Sequence, residues 1–225
     1  MMISSVFSVA LLALGASAHF TVQYPATVGP FKDDDEGTGP CGGYSPSLGS
    51  VKTIDFHVGG DAVATKSTHP QTTWLYRITT DDIAKNNWTQ VYNIVLQNGP
   101  GDYCTKSVTV PAEYVGQKAI LSIVADGPDG LLYQCAAVNF VNGTANTPSA
   151  CTNGSSITAS FTNDKKLSGM VNSSLVDDGG DDNTNAPSPT PTGNAAPSMP
   201  AFTTSGFGAI LTTGAMLFAG FTFML

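Results

Sequence analysis

In the run Thr53-Ile54-Asp55-Phe56-His57-Val58, apolar and polar residues alternate one by one, and this decides the fold class. Successive side chains of a strand point to opposite faces, so Ile54, Phe56 and Val58 share one face and Asp55 and His57 the other. One face is core and the other wet. Outward from this run, similar short stretches recur at residues 73–79, 90–96, 103–110, 119–125, 131–141 and 156–162, bounded by Gly, Pro, Asn and Asp. Within the stretch 119–125 Leu121 and Ile123 share a face. Short runs closed by turn residues, without sustained helical periodicity, predict an all-β, antiparallel β-sandwich. The one helical candidate is a single capped turn in Thr80-Asp81-Asp82-Ile83-Ala84-Lys85.

Apolar blocks lie at both ends of the 225 residues. Residues 1–18 end in Gly15-Ala16-Ser17-Ala18, whose small residues suit a signal peptidase, and cleavage there leaves His19 first. Residues 206–225 are apolar and no basic stop-transfer cluster follows them. Upstream stand the small residues Gly193-Asn194-Ala195-Ala196 and a short spacer, the order of a glycosylphosphatidylinositol (GPI) attachment signal. Asn194, or Gly193 beside it, is the expected attachment point, with residues 195–225 as the discarded propeptide. Residues 19–163 hold enough apolar sequence for one core. Residues 164–194, first Asp-rich and then alternating Pro with Ser or Thr, read as a solvated stalk. The expected location is therefore the extracellular face of the plasma membrane, or the cell wall.

Cys41, Cys104, Cys135 and Cys151 are even in number in a secreted chain, so two disulfides are expected, with three pairings open. Their wide spacing argues against a zinc knuckle. Sequons at Asn87, Asn142, Asn153 and Asn172 agree with the secretory route. A net charge of −8 with nine basic residues excludes a nucleic-acid partner and favours cations. The chain lacks a Gly-x-Ser-x-Gly elbow and has three histidines in all, which gives a hydrolase nothing to rest on.

A terminal histidine offers a metal two nitrogens, its α-amine and its imidazole, and one further imidazole completes a three-nitrogen set suited to copper. The α-amine titrates near ~7.7–8.0 and yields its proton to a metal at modest cost. The second imidazole comes from His69 or His57. His69 sits in Ser67-Thr68-His69-Pro70, a loop ahead of the strand at 73–79, where it reaches the end of the sandwich. His57 lies in mid-strand on the wet face, the less favoured position.

With these residues laid out, the chain resembles the fungal surface copper-binding proteins of the copper-acquisition-factor type. These look like lytic polysaccharide monooxygenases in fold and histidine brace but act in copper handling. The resemblance rests on His19, Gly39-Pro40-Cys41-Gly42-Gly43, His69-Pro70 before Thr73-Trp74, Leu132-Tyr133-Gln134-Cys135 and the Ser/Pro-rich tail. It implies an immunoglobulin- or fibronectin-like sandwich and copper held by the amine and imidazole of His19 and the imidazole of His69; copper itself and a plasma-membrane copper transporter or wall components are the expected partners. It also implies disulfides Cys41–Cys151 and Cys104–Cys135. One departure is Ala137, where the family commonly has a copper-side aspartate: either three nitrogens alone hold the copper, or a carboxylate from elsewhere, such as the less favoured Asp126, substitutes, or the site has decayed. The resulting expectation is a non-enzymatic, GPI-anchored copper-binding protein. A copper-dependent polysaccharide monooxygenase is the runner-up, with Tyr24, Tyr44 or Tyr133 available beside the metal, and a wall module with a decayed site is the third reading.

Overall fold

The computed structural model describes residues 19–176. The signal segment 1–18, the Asp-rich and Pro-rich run from 177, the attachment point at Asn194 or Gly193 and the tail 195–225 lie outside the described residues.

Among the described residues eleven strands form two sheets. They are β1 (Phe20–Tyr24), β2 (Ile54–His57), β3 (Asp61–Ser67), β4 (Gln71–Thr79), β5 (Thr89–Gln90), β6 (Val95–Asn98), β7 (Gly101–Val108), β8 (Lys118–Gly127), β9 (Gly130–Val141), β10 (Thr158–Phe161) and β11 (Ser173–Ser174). The small sheet runs β1-β3-β7 and the large one β10-β6-β4-β8-β9-β2, with β5 beside β4 and β11 beside β5. Pairing is antiparallel except for β2 with β9 and β11 with β5, which are parallel. The expected sandwich is present. Its main core lies between the sheets, where Phe20, Phe56, Val63, Trp74, Tyr76, Leu121, Ile123 and Phe140 are buried.

The outer face of the large sheet is covered as well. Leu48 and the Cys41–Cys135 disulfide pack on Ile120, Trp88 and Ala137, while Leu167 packs on Leu75, Val124 and Tyr133. Ala137 therefore points into an apolar layer, and a carboxylate there would have been buried. β8 and β9 are buried on both faces, so their alternation separates two apolar layers rather than core from water.

Several expectations change. The stretch at 90–96 is broken into β5 and β6, and residues 80–85 form a turn rather than a helix, held by Asp81 Oδ2 accepting from the N–H groups of Lys85 and Asn86. The disulfides are Cys41–Cys135 and Cys104–Cys151, not the pairs that the resemblance implied. Cys41 lies in the loop over the outer face of β9, and Cys104 on β7 faces the loop carrying Cys151. The packed body also extends past 163: Asp164 caps the one-turn helix α1 (Lys165–Ser168), whose Leu167 is wholly buried. Met170 C=O then accepts from Arg77 Nη1 at 2.7 Å, and Leu175 N–H donates to Gln90 C=O at 2.9 Å. Of the sequon asparagines, Asn87, Asn142 and Asn172 are exposed, while Asn153 is half-buried and accepts from Cys104 N–H at 2.8 Å.

Candidate metal site

β1 pairs antiparallel with β3, Phe20 opposite Ser67, so the residue before β1 meets the loop after β3. There Thr68 clamps His19: its N–H and its hydroxyl each donate to His19 C=O at 3.0 Å, and its Oγ1 accepts from His19 N–H at 2.9 Å. His69 follows at once. Its backbone N–H donates to Ser67 Oγ at 3.1 Å, and its Nδ1 lies 3.2 Å from that oxygen, which also contacts Thr72 Oγ1 at 2.8 Å. Both ends of the loop thus fix the ring, which is 1% exposed.

The other ring nitrogen, Nε2, stands 2.5 Å from Asp129 Oδ1. A neutral or charged imidazole facing a carboxylate at that distance carries its proton on Nε2. Asp129 sits at the tip of the β8–β9 hairpin in Gly127-Pro128-Asp129-Gly130 and is open to solvent. Gly127 lets this hairpin cover the ring, for a Cβ there would lie 2.9 Å from His69 Cδ2 and Nε2.

The His19 ring is half-buried, with Nδ1 3.1 Å from Asp33 Oδ1 and the exposed Phe31 ring 5.4 Å away. Against the Phe20 main chain, next to His19, lies Glu36, 2% exposed. Its Oε1 accepts from Phe20 N–H at 3.3 Å and from Gln134 Nε2 at 3.0 Å, while its Oε2 is buried without a partner. Burial pushes its carboxyl up to about 7; the bonds from Gln134 and Phe20 work against that, and the nearby charges of Asp33 and Asp129 add to it.

Two imidazoles and three further carboxyls, those of Asp33, Glu36 and Asp129, thus gather at one end of the small sheet. Two ligands at ~2.0–2.1 Å from one metal, at right angles, stand about 2.9 Å apart. The His69–Asp129 pair is slightly closer than that, so a cation taking the place of the Nε2 proton needs only a small opening. Among the described residues no three His, Cys, Asp or Glu side chains already stand in a chelating arrangement. The third nitrogen of a terminal-histidine set is a main-chain amine, and the donor chemistry of two imidazoles with an amine suits copper.

The other expected ligands lie elsewhere. His57 pairs through Nδ1 with the buried Asp61 at 3.1 Å. Asp61 opens β3 and Ser67 closes it, which separates His57 from the His69 loop by about 20 Å at ~3.3 Å per residue. Asp126 is held by Lys166 Nζ at 2.7 Å, so the carboxylate facing His69 is Asp129 instead. Of the three tyrosines, Tyr24 donates to Asp61, Tyr44 to Pro30 C=O, and Tyr133 packs with Leu75 and Leu167. Sequence reasoning missed Asp33, Glu36 and Asp129. The acidic run Asp33-Asp34-Asp35-Glu36 and the turn signature Gly-Pro-Asp-Gly were the available signals.

A sequence family described as copper acquisition factor BIM1-like matches residues 17–156. The chain is also 26% identical, over 166 residues and 69% of its length, to lytic polysaccharide monooxygenase-like protein X325 of Yarrowia lipolytica (strain CLIB 122 / E 150). It covers 61% of that relative's length.

Proposed function

Because the chain belongs to the copper acquisition factor BIM1-like family, we propose that it is a non-enzymatic, cell-surface copper-binding protein whose cargo site is built on His19 and His69. In this reading cleavage after Ala18 frees the His19 amine, and amine and imidazole of His19 join His69 Nε2 in holding the ion. Asp129 supplies the nearby negative charge that favours a dication. A lipid anchor at Asn194 or Gly193 keeps the domain on the extracellular face of the plasma membrane or in the wall, where copper passes by ligand exchange to uptake machinery.

The observation that carries this reading is the Thr68 clamp. It bonds His19 through both main-chain atoms while the next residue, His69, aims a ring nitrogen at a surface carboxylate. The test is copper titration of residues 19–176 beginning at His19, with paramagnetic resonance to count nitrogens. One tight Cu(II) with a three-nitrogen signature is expected, lost in His69→Ala and in a chain with one extra residue before His19. Undiminished binding by both variants overturns the site. Release of the intact protein from cells by a phosphatidylinositol-specific phospholipase tests the anchor.

A second reading, a copper monooxygenase at the same site, has one observation in its favour: Phe31, 40% exposed, beside the His19 ring. Reductant-dependent oxidation of wall polysaccharide by the copper-loaded protein, abolished by His69→Ala, would establish it.

A further inference from the structure

β1 is an edge strand whose second neighbour is missing. An antiparallel ladder alternates its bonding direction, so His19 and Thr21 bond toward β3 and the main-chain groups of Phe20 and Val22 turn outward. Unpaired, these groups would fray the strand, and the residue before it with them.

The outward groups are met by side chains of two other elements. Glu36 Oε1 accepts from Phe20 N–H at 3.3 Å. Gln134, on β9 of the opposite sheet, donates to Phe20 C=O at 2.6 Å and accepts from Val22 N–H at 3.2 Å through Oε1. A primary amide presents a donor and an acceptor side by side, so Gln134 does for β1 what one residue of a paired strand would do. Gln134 Nε2 also donates to Glu36 Oε1 at 3.0 Å, which makes the two side chains one unit. Glu36 is 2% and Gln134 9% exposed, so water does not compete for these bonds.

We propose that Glu36 and Gln134 are positioning residues: a side-chain latch on the open edge of β1 that holds His19 in register with the His69 loop for metal capture. This rests on the reading of His19 and His69 as copper ligands. Neither latch residue touches the ion. They act through the Phe20 backbone, one peptide from the His19 nitrogen, and the Thr68 clamp holds the opposite edge. The latch explains why a buried carboxyl with one oxygen unpartnered persists beside the site, for the other oxygen is fixed by two donors.

The test uses residues 19–176 beginning at His19, with Glu36→Ala, Glu36→Gln, Gln134→Ala and Gln134→Met. Loss of the latch should weaken Cu(II) affinity by about 10–100-fold, the usual effect of removing an outer-shell partner. The paramagnetic spectrum should show fewer nitrogens, because His19 leaves while His69 stays. Glu36→Gln keeps an oxygen acceptor for both donors and should bind nearly as the unmutated chain does. Wild-type binding by Glu36→Ala and both Gln134 variants overturns the latch, as does equal loss in Glu36→Gln and Glu36→Ala, which would indicate charge rather than positioning. If the variants do not fold, amide exchange of the unmutated protein decides: slow exchange at Phe20 and Val22 supports the latch, and exchange as fast as at an open edge overturns it. Copper binding lost in His69→Ala but kept in the latch variants sinks the latch alone; no copper binding by the unmutated chain sinks the site reading itself.

Discussion

His69 Nε2 and Asp129 Oδ1 stand 2.5 Å apart, an all but solvent-free ring against a carboxylate at the surface. Asp129→Asn keeps the shape of the hairpin tip and removes its charge. Cu(II) affinity should fall by about tenfold with the nitrogen count unchanged, because the dication loses the carboxylate charge beside it. Cu(I) affinity should fall less, because the monocation gains less from a carboxylate. An equal fall for both oxidation states would show that Asp129 orients the ring rather than tuning the ion.

Gly127→Ala tests the same hairpin by sterics. The added methyl would meet His69 Cδ2 and Nε2 at 2.9 Å, so ring or turn must shift. Overpacking of this kind costs about 1–3 kcal/mol, and copper affinity should drop with it. Calorimetric melting and titration of the one variant check both effects.

The carboxyl of Glu36 is pushed from 4.5 up to about 7, chiefly by burial. The folded chain keeps a proton there that the unfolded chain has lost, so this contribution to stability is complete below pH 4.5 and is lost as pH rises through about 7. Metal-free protein should therefore melt at falling temperature across that window relative to Glu36→Gln. Parallel melting profiles for the two would show that the carboxyl is not held protonated.

The packed segment after 163 predicts that a chain ending there is less stable than one ending at 176. Leu167→Ala alone should cost about 2–5 kcal/mol, the usual range for a fully buried leucine. Denaturant midpoints of the two chain lengths and of the substitution measure this.

Peptide mapping without reduction should recover Cys41 with Cys135 and Cys104 with Cys151. Replacing the second pair by serine should destabilise the domain by about 2–4 kcal/mol.

Much of this was legible in the sequence where one face of a strand is wet. The alternation of Ile54, Phe56 and Val58 located β2, and the Leu121 and Ile123 face went to the core as expected. β3 went unread because both its faces are covered: Val63 fills the main core, while Ala62 and Ala64 lie under the Cys104–Cys151 disulfide, which leaves a run of small residues without alternation. β1 was hidden by its position directly after the expected cleavage site. For the candidate site, His19 and His69 stood out as rare residues in telling places. Asp129 did not, because the hairpin that brings it to His69 lies sixty residues away along the chain. Nor did Glu36 and Gln134, whose use depends on an open strand edge that no local pattern announces. The disulfide partners follow from which loop covers which face, a property of the layers rather than of spacing.

The segment that follows β10 has a mechanical meaning. A pull on residue 176 first loads Leu175 against Gln90, then Asn172 against Trp88, then the Met170 carbonyl against Arg77. Beyond these it reaches α1, where Leu167 is buried and Lys166 grips Asp126 on the hairpin that carries Asp129. Traction therefore enters through the outer layer of the large sheet and arrives at the carboxylate side of the candidate site, while His19, at the edge of the small sheet, lies off the line of force.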